Sequence, residues 1–107
     1  MKRHHLGEFE HLIMLAIVRL KGRGYGVGIM TEVSEQTDRE VSQAATYLTL
    51  KRLEGKGLVT GLKGEVTDER GGRPRRYYSV TAAGLSKLKE SRENLLKMWS
   101  GIAEEVS

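Results

Sequence analysis

The chain has 107 residues, 38% hydrophobic and 30% charged, with 18 Lys+Arg against 14 Asp+Glu for a formal net charge of +4. That length provides one modest core and no room for a second. The mild basic excess permits nucleic acid as a partner without requiring it, because the placement of charge matters more than its sum. Cysteine is absent, which excludes a disulfide framework, a thiolate zinc site and a cysteine nucleophile.

The opening Met1-Lys2-Arg3-His4-His5 is basic, but no apolar segment of signal-peptide character follows it. The longest apolar run, 12–18, is far short of the ~20 residues that span a bilayer. A cytoplasmic location is expected.

A first helix is expected over 8–20. Phe9, Leu12, Ile13, Ala16, Ile17 and Leu20 recur at helical spacing, and Met14, Leu15 and Val18 are apolar as well. Such a helix must be covered on two sides, by its own core and by another helix or a second chain. His4, Glu8 and His11 stand at metal-ligand spacing on one helix face, but with no fourth ligand they read as a solvated N-terminus, and no metal is expected. Lys21-Gly22-Arg23-Gly24 is a turn; because it follows a helix and not a strand, it makes a poor phosphate-binding loop.

A second helix over 25–34 carries Val27, Ile29, Met30 and Val33. Gly26 and Gly28 each weaken it by roughly 1 kcal/mol relative to alanine, which points to close packing against a neighbouring backbone. A polar connection over 35–40 leads to Ser42, a good N-cap for a third helix over 43–54. Gly55 and Gly57 end that helix, one of them in the left-handed conformation. Thr46, Leu50 and Leu53 share one face, while Ala44, Tyr47, Leu48 and Lys51 crowd the other. An aromatic, a base and small residues on the outer face of a serine-capped helix are what entry into a DNA groove needs.

Strands are expected over 58–63 and 75–80, joined by a long connection over 64–74 that protrudes as a wing, flexible at Gly71-Gly72. Thr81 caps a last helix that continues nearly to the end. Its positions Leu85, Leu88, Leu95, Trp99, Ile102 and Val106, with Arg92 in the gap, form a heptad seam. The whole reads as a mainly α protein with a small β-hairpin: a winged helix-turn-helix DNA-binding domain over 1–80 and a dimerisation helix over 81–107. Leu85, Leu88, Leu95, Trp99 and Ile102 are the expected dimer interface.

On the third helix, Tyr47 and Lys51 can reach the major groove, or Tyr47 can pack on the second helix and leave Lys51 solvated. Ser42 and Gln43 lie where the helix start welcomes a phosphate, and Ser42 can be both cap and contact. Ala44 and Leu48 complete the row. Arg70, Arg73, Arg75 and Arg76 suit a wing laid along phosphates or tipped into the minor groove. The other reading is a solubilising edge, and Glu65, Asp68 and Glu69 must then face away from the duplex. Tyr77 and Tyr78 alternate across their strand, so one belongs to the core. Enzyme readings lack parts: there is no convincing Ser-His-Asp set and no acidic pair in an apolar setting, so neither catalytic residues nor a cofactor are expected.

The chain resembles the PadR family of bacterial transcriptional regulators, in its small form with one carboxy-terminal helix. The resemblance rests on Leu6-Gly7-Glu8-Phe9-Glu10, on Tyr25-Gly26, on Tyr47-x-x-Leu50-x-Arg52-Leu53-Glu54-x-x-Gly57-Leu58-Val59, and on Gly71-Gly72-Arg73 with Arg76-Tyr77-Tyr78-x-Val80-Thr81-x-x-Gly84. It implies a dimeric winged helix-turn-helix repressor whose wing and third helix contact DNA and whose last helix packs on a partner subunit. It also implies a dimer interface able to hold flat aromatic compounds, where Trp99 would either stack on one or serve as core. Where family members often carry Gly-Thr-Leu-Tyr, this chain has Ala44-Ala45-Thr46-Tyr47. A threonine hydroxyl is therefore missing at Ala45 and a core leucine at Thr46. The alternative to specific DNA binding is a winged-helix module that offers its basic ribbon to an acidic protein surface.

Overall fold

A computed structural model describes residues 5–66 and 74–106. Along the chain it runs α1 (Glu8–Arg19), β1 (Gly24–Tyr25), α2 (Gly26–Thr37), α3 (Gln43–Gly55), β2 (Val59–Val66), β3 (Pro74–Val80), α4 (Ala82–Trp99) and α5 (Ala103–Val106). Gly71-Gly72, expected as the flexible point of the wing, lies outside the described residues, as do Arg70 and Arg73.

Helix α1 begins where the Glu10 carboxylate accepts the Gly7 N–H at 2.9 Å, so an orphan donor just before the helix is satisfied by the helix's own third residue. Its apolar stripe does what its spacing demands. Ile13, Met14, Ala16 and Ile17 are buried together, with Phe9, Leu12 and Leu20 packed against them. Leu15 and Val18 stay exposed, so one apolar flank of the helix is uncovered within the chain.

Helix α2 runs three residues beyond 34, into the expected polar connection. Thr37 donates its hydroxyl to the Val33 carbonyl at 2.6 Å, and Asp38, at φ 54°, takes the left-handed turn that stops the helix. Tyr25 is not helical. With Gly24 it forms a short strand opposite Tyr77 and Tyr78. That strand supplies the edge of a three-stranded antiparallel sheet of order β1-β3-β2.

Helix α3 ends in a Schellman arrangement. The Leu58 N–H bonds the Leu53 carbonyl at 3.0 Å, the Gly57 N–H bonds the Glu54 carbonyl at 3.0 Å, and Gly57 is the left-handed residue at φ 74°. The next residues enter β2 directly. Both wing strands are longer than expected, β2 reaching Val66 and β3 starting at Pro74, with an irregularity in the pairing between Lys63 and Val66.

Thr81 fixes the start of α4. Its hydroxyl accepts the Gly84 N–H at 3.0 Å and donates to the Gly57 carbonyl at 2.7 Å, while its own N–H bonds the Leu58 carbonyl at 3.0 Å. Gly84 sits so close that a β-carbon there would collide with the Leu58 carbonyl oxygen. The helix does not continue nearly to the end as expected. Ser100 is extended and Gly101, at φ 81°, is left-handed, a conformation glycine adopts without steric cost. The heptad seam is therefore cut. Ile102 and Val106 leave the register of α4, and Leu88 is taken into the chain's own core with Ile13, Leu53 and Leu58. Leu85, Leu95 and Trp99 remain exposed on α4.

Candidate nucleic-acid interface

The third helix divides as its periodicity requires. Thr46, Thr49, Leu50 and Leu53 are buried, while Gln43, Ala44, Tyr47, Leu48 and Lys51 face out. Thr46, in the place of a core leucine, is fully buried. It donates its hydroxyl to the Ser42 carbonyl at 2.9 Å, so no polar group is left unpaired. The Ser42 hydroxyl accepts the Ala45 N–H at 3.0 Å and keeps its own proton free to donate outward from the positive end of the helix. Leu48 is 61% exposed.

Tyr47 is at once exposed and packed. Its ring and hydroxyl lie against Gly26 at the start of α2, where a β-carbon would overlap them. The close packing expected at Gly26 is thus against a side chain, not a backbone. At Gly28 the neighbour is also a ring, that of Tyr25.

The β3 strand sends Arg75 and Tyr77 to one face and Arg76 and Tyr78 to the other. Tyr78 is the core member of the tyrosine pair. On the outer face the Arg75 guanidinium carbon lies 4.3 Å from the centre of the Tyr25 ring, and Tyr25 meets Tyr77 edge-on at 6.1 Å and 73°. The Arg75 Nε is buried with no hydrogen-bond partner among the described residues. Its guanidinium is held by stacking on Tyr25.

Arg76, expected as a phosphate contact, is already engaged. Its Nη2 bonds the Glu54 carboxylate at the end of α3 at 2.6 Å, and the side chain crosses β2 over Gly61 on the way. Its guanidinium carbon lies 6.0 Å from the Tyr78 ring centre. The carboxylate of Glu54 raises the Arg76 pKa further. Burial, with Glu54 adding to it, raises that of the Tyr78 phenol.

Among the described residues, two partly buried polar ties link α1 to the rest of the chain. Glu10, nearly buried, accepts Lys56 Nζ at 3.0 Å. Desolvation pushes its carboxyl pKa up, but the Gly7 N–H, the Lys56 hydrogen bond and charge, and Arg52 outweigh it and hold the group below the usual value. His11 pairs through Nδ1 with the Ser91 hydroxyl of α4 at 2.8 Å, and burial holds its pKa below 6.5. Of the spaced trio His4, Glu8 and His11, the first lies outside the described residues, and Glu8 pairs with Arg39 at 3.0 Å. Beside His11, a groove of about 440 Å³ opens between α1 and α4, lined by Leu12, Leu15 and Leu95 among others. Trp99 stands further along α4, 52% exposed.

Sequence reasoning missed Tyr25, Glu54 and Gly61 as parts of this surface. A two-residue strand is too short for periodicity to register, and Glu54 and Gly61 acquire their partner only when the hairpin folds back on α3. The Tyr25-Gly26 pair was the available signal.

A helix pair whose second member is exposed and capped, followed at once by a two-stranded ribbon, defines a winged helix-turn-helix protein. The model of the Transcriptional regulator PadR-like family matches residues 14–90, and the chain belongs to that family of transcriptional regulators. An uncharacterized protein of Lysinibacillus sphaericus is 34% identical over 94 residues, covering 86% of this chain and 79% of its own. Among solved structures, a PadR-like transcription factor from Bacteroides fragilis is 27% identical with a TM-score of 0.69, covering 92% of this chain and 89% of its own. A PadR family transcription regulator from Clostridium difficile R20291 shares the fold at a TM-score of 0.73, with 22% identity and coverage of 92% and 99%. No helix among the described residues is long and apolar enough to cross a membrane.

Proposed function

We propose that the chain is a homodimeric, sequence-specific DNA-binding repressor, with α3 as its recognition helix and the β2–β3 ribbon as its wing. The observation that carries this reading is the exposed row Gln43, Ala44, Tyr47, Leu48 and Lys51, beginning at the capped Ser42. Lys51 and Tyr47 supply hydrogen bonds and charge to base edges and phosphates, and Leu48 an apolar contact suited to a thymine methyl. Arg75, with Arg73 beyond it, supplies the wing's backbone contacts.

Residues 1–80 make up the DNA-reading unit and 81–107 the pairing element. A second copy would cover Leu15 and Val18 of α1 together with Leu85, Leu95, Trp99 and Ile102, which this chain leaves exposed. Two units related by a two-fold axis would place their recognition helices roughly 34 Å apart on a near-symmetric operator. A flat aromatic effector would stack on Trp99 at that interface.

The test is a titration with duplex DNA from upstream of the chain's own gene, against scrambled duplex, at several salt concentrations. Specific binding should exceed non-specific binding by roughly a thousand-fold or more. Equal, weak binding to both duplexes identifies a protein-interaction module instead.

A further inference from the structure

We infer that Arg76 and Glu54 form a brace that sets the angle of the wing against the recognition helix, so that Arg76 is a positioning residue and not a DNA contact. The inference rests on the reading of this surface as a DNA interface. Three elements build the brace. Glu54 stands in the last turn of α3, Gly61 in β2, and Arg76 in β3. Arg76 lies opposite Lys63, the last pair before the ladder becomes irregular toward Val66 and Pro74. The brace therefore grips the ribbon at its last regular rung.

A two-stranded ribbon has little rigidity of its own, and beyond the first residues of β2 nothing else polar among the described contacts ties it to α3. Gly61 is what lets the guanidinium through. A β-carbon there would lie 2.5 Å from Arg76 Nε and 3.0 Å from its Cζ. Both partners are partly exposed, at 46% and 27% of their side-chain surface, so the pair adds little to global stability. Its 2.6 Å charge-assisted bond instead holds one geometry, which removes a cost that DNA would otherwise have to meet on binding.

The sign of one substitution separates brace from contact. Glu54→Gln removes a negative charge beside DNA. On charge alone it should strengthen binding; if Glu54 holds the wing arginine in place, it should weaken binding. Duplex titrations of wild type, Glu54→Gln, Arg76→Gln and Gly61→Ala are the experiment, run at several salt concentrations with thermal melting of each variant. Gly61→Ala displaces only the end of a flexible side chain and leaves both charges in the protein. The brace predicts that all three lose specific affinity by a similar factor, roughly five-fold or more, with no further loss when Glu54→Gln and Arg76→Gln are combined. The log–log salt slope should stay that of wild type, because no phosphate contact is removed.

Unchanged or tighter binding by Glu54→Gln overturns the brace, as does a slope reduced by about one unit in Arg76→Gln alone. If wild type shows no specific binding, the DNA reading itself has failed. The brace is then decided without DNA, by amide exchange across 60–63 and 75–78. Faster exchange in Glu54→Gln than in wild type upholds it, and equal exchange removes it.

Discussion

Tyr47 occupies the space that a β-carbon on Gly26 would need, so the first turn of α2 and the outer row of α3 are fitted to each other through one glycine and one ring. Gly26→Ala should push the Tyr47 ring outward by rotation about its own χ1, while alanine's better helix propensity offsets part of the cost. The fold should survive with a melting temperature within a few degrees of the parent. On the proposed DNA reading, operator affinity should fall, because the Tyr47 side chain has been re-aimed. A large drop in melting temperature with unchanged DNA binding would contradict this account.

The row itself is tested residue by residue. Lys51→Ala and Leu48→Ala should each weaken operator binding by roughly 1–3 kcal/mol if they read a base edge, and neither should disturb melting, since both are exposed. Tyr47→Phe keeps the packing on Gly26 and removes only the hydroxyl, so it isolates the polar contribution that Tyr47→Ala would confuse with a lost ring. Wild-type affinity in all three variants would remove α3 from the interface.

Arg75 is held by stacking on Tyr25 and has donors to spare. Arg75→Ala should weaken binding to operator and random duplex alike and lower the salt slope by about one unit. Tyr25→Leu, which removes the platform but keeps the charge, should weaken both duplexes less than Arg75→Ala. A slope unaffected by Arg75→Ala means that the wing's outer face does not touch the backbone.

Acid should loosen the chain in two stages. The folded pKa of His11 lies below 6.5 because burial disfavours the charged ring, so the unfolded chain takes the proton first. Stability is complete above 6.5 and declines as pH falls through that value. Glu10 follows. Its folded pKa lies below 4.5, so its contribution is present above 4.5 and disappears as pH drops through the folded value. His11→Asn, which can still bond Ser91, should flatten the change in melting temperature between about pH 7.5 and 5.5. A variant with the parent's full pH dependence over that window would show that His11 is not its source.

Deleting the residues after Ser91, or making Leu95 and Trp99 charged, should yield monomers with much weaker operator binding. Sedimentation equilibrium beside a DNA titration reads both. A wild-type chain that is monomeric at micromolar concentration ends the dimer proposal.

The helices and the two wing strands were legible because each buries one face, and burial leaves a period. The inward set Thr46, Leu50 and Leu53 and the caps Ser42, Gly57 and Thr81 follow from spacing and local hydrogen bonding alone. What escaped was non-local or too short to have a period. The β1 strand exists only because Gly24 and Tyr25 find β3 beside them. Heptad spacing puts Leu88 on the seam, but spacing alone cannot show that the chain's own core takes it. The break at Ser100-Gly101 was in view as a glycine, but a continuing 3-4 pattern hid it.

The Thr81 hydroxyl bridges the turn that ends α3 to the beginning of α4, and Gly84 presses the same turn onto the Leu58 carbonyl. Helix α4 has 18 residues and so extends roughly 27 Å from that joint to Trp99. Buried Leu88 and the His11–Ser91 hydrogen bond hold its first half against the rest of the chain, so only the exposed stretch beyond Ser91, roughly 12 Å long, projects from the core. Whatever binds α4 near Trp99 therefore grips an arm joined to the end of α3 through Thr81 and to α1 through Ser91.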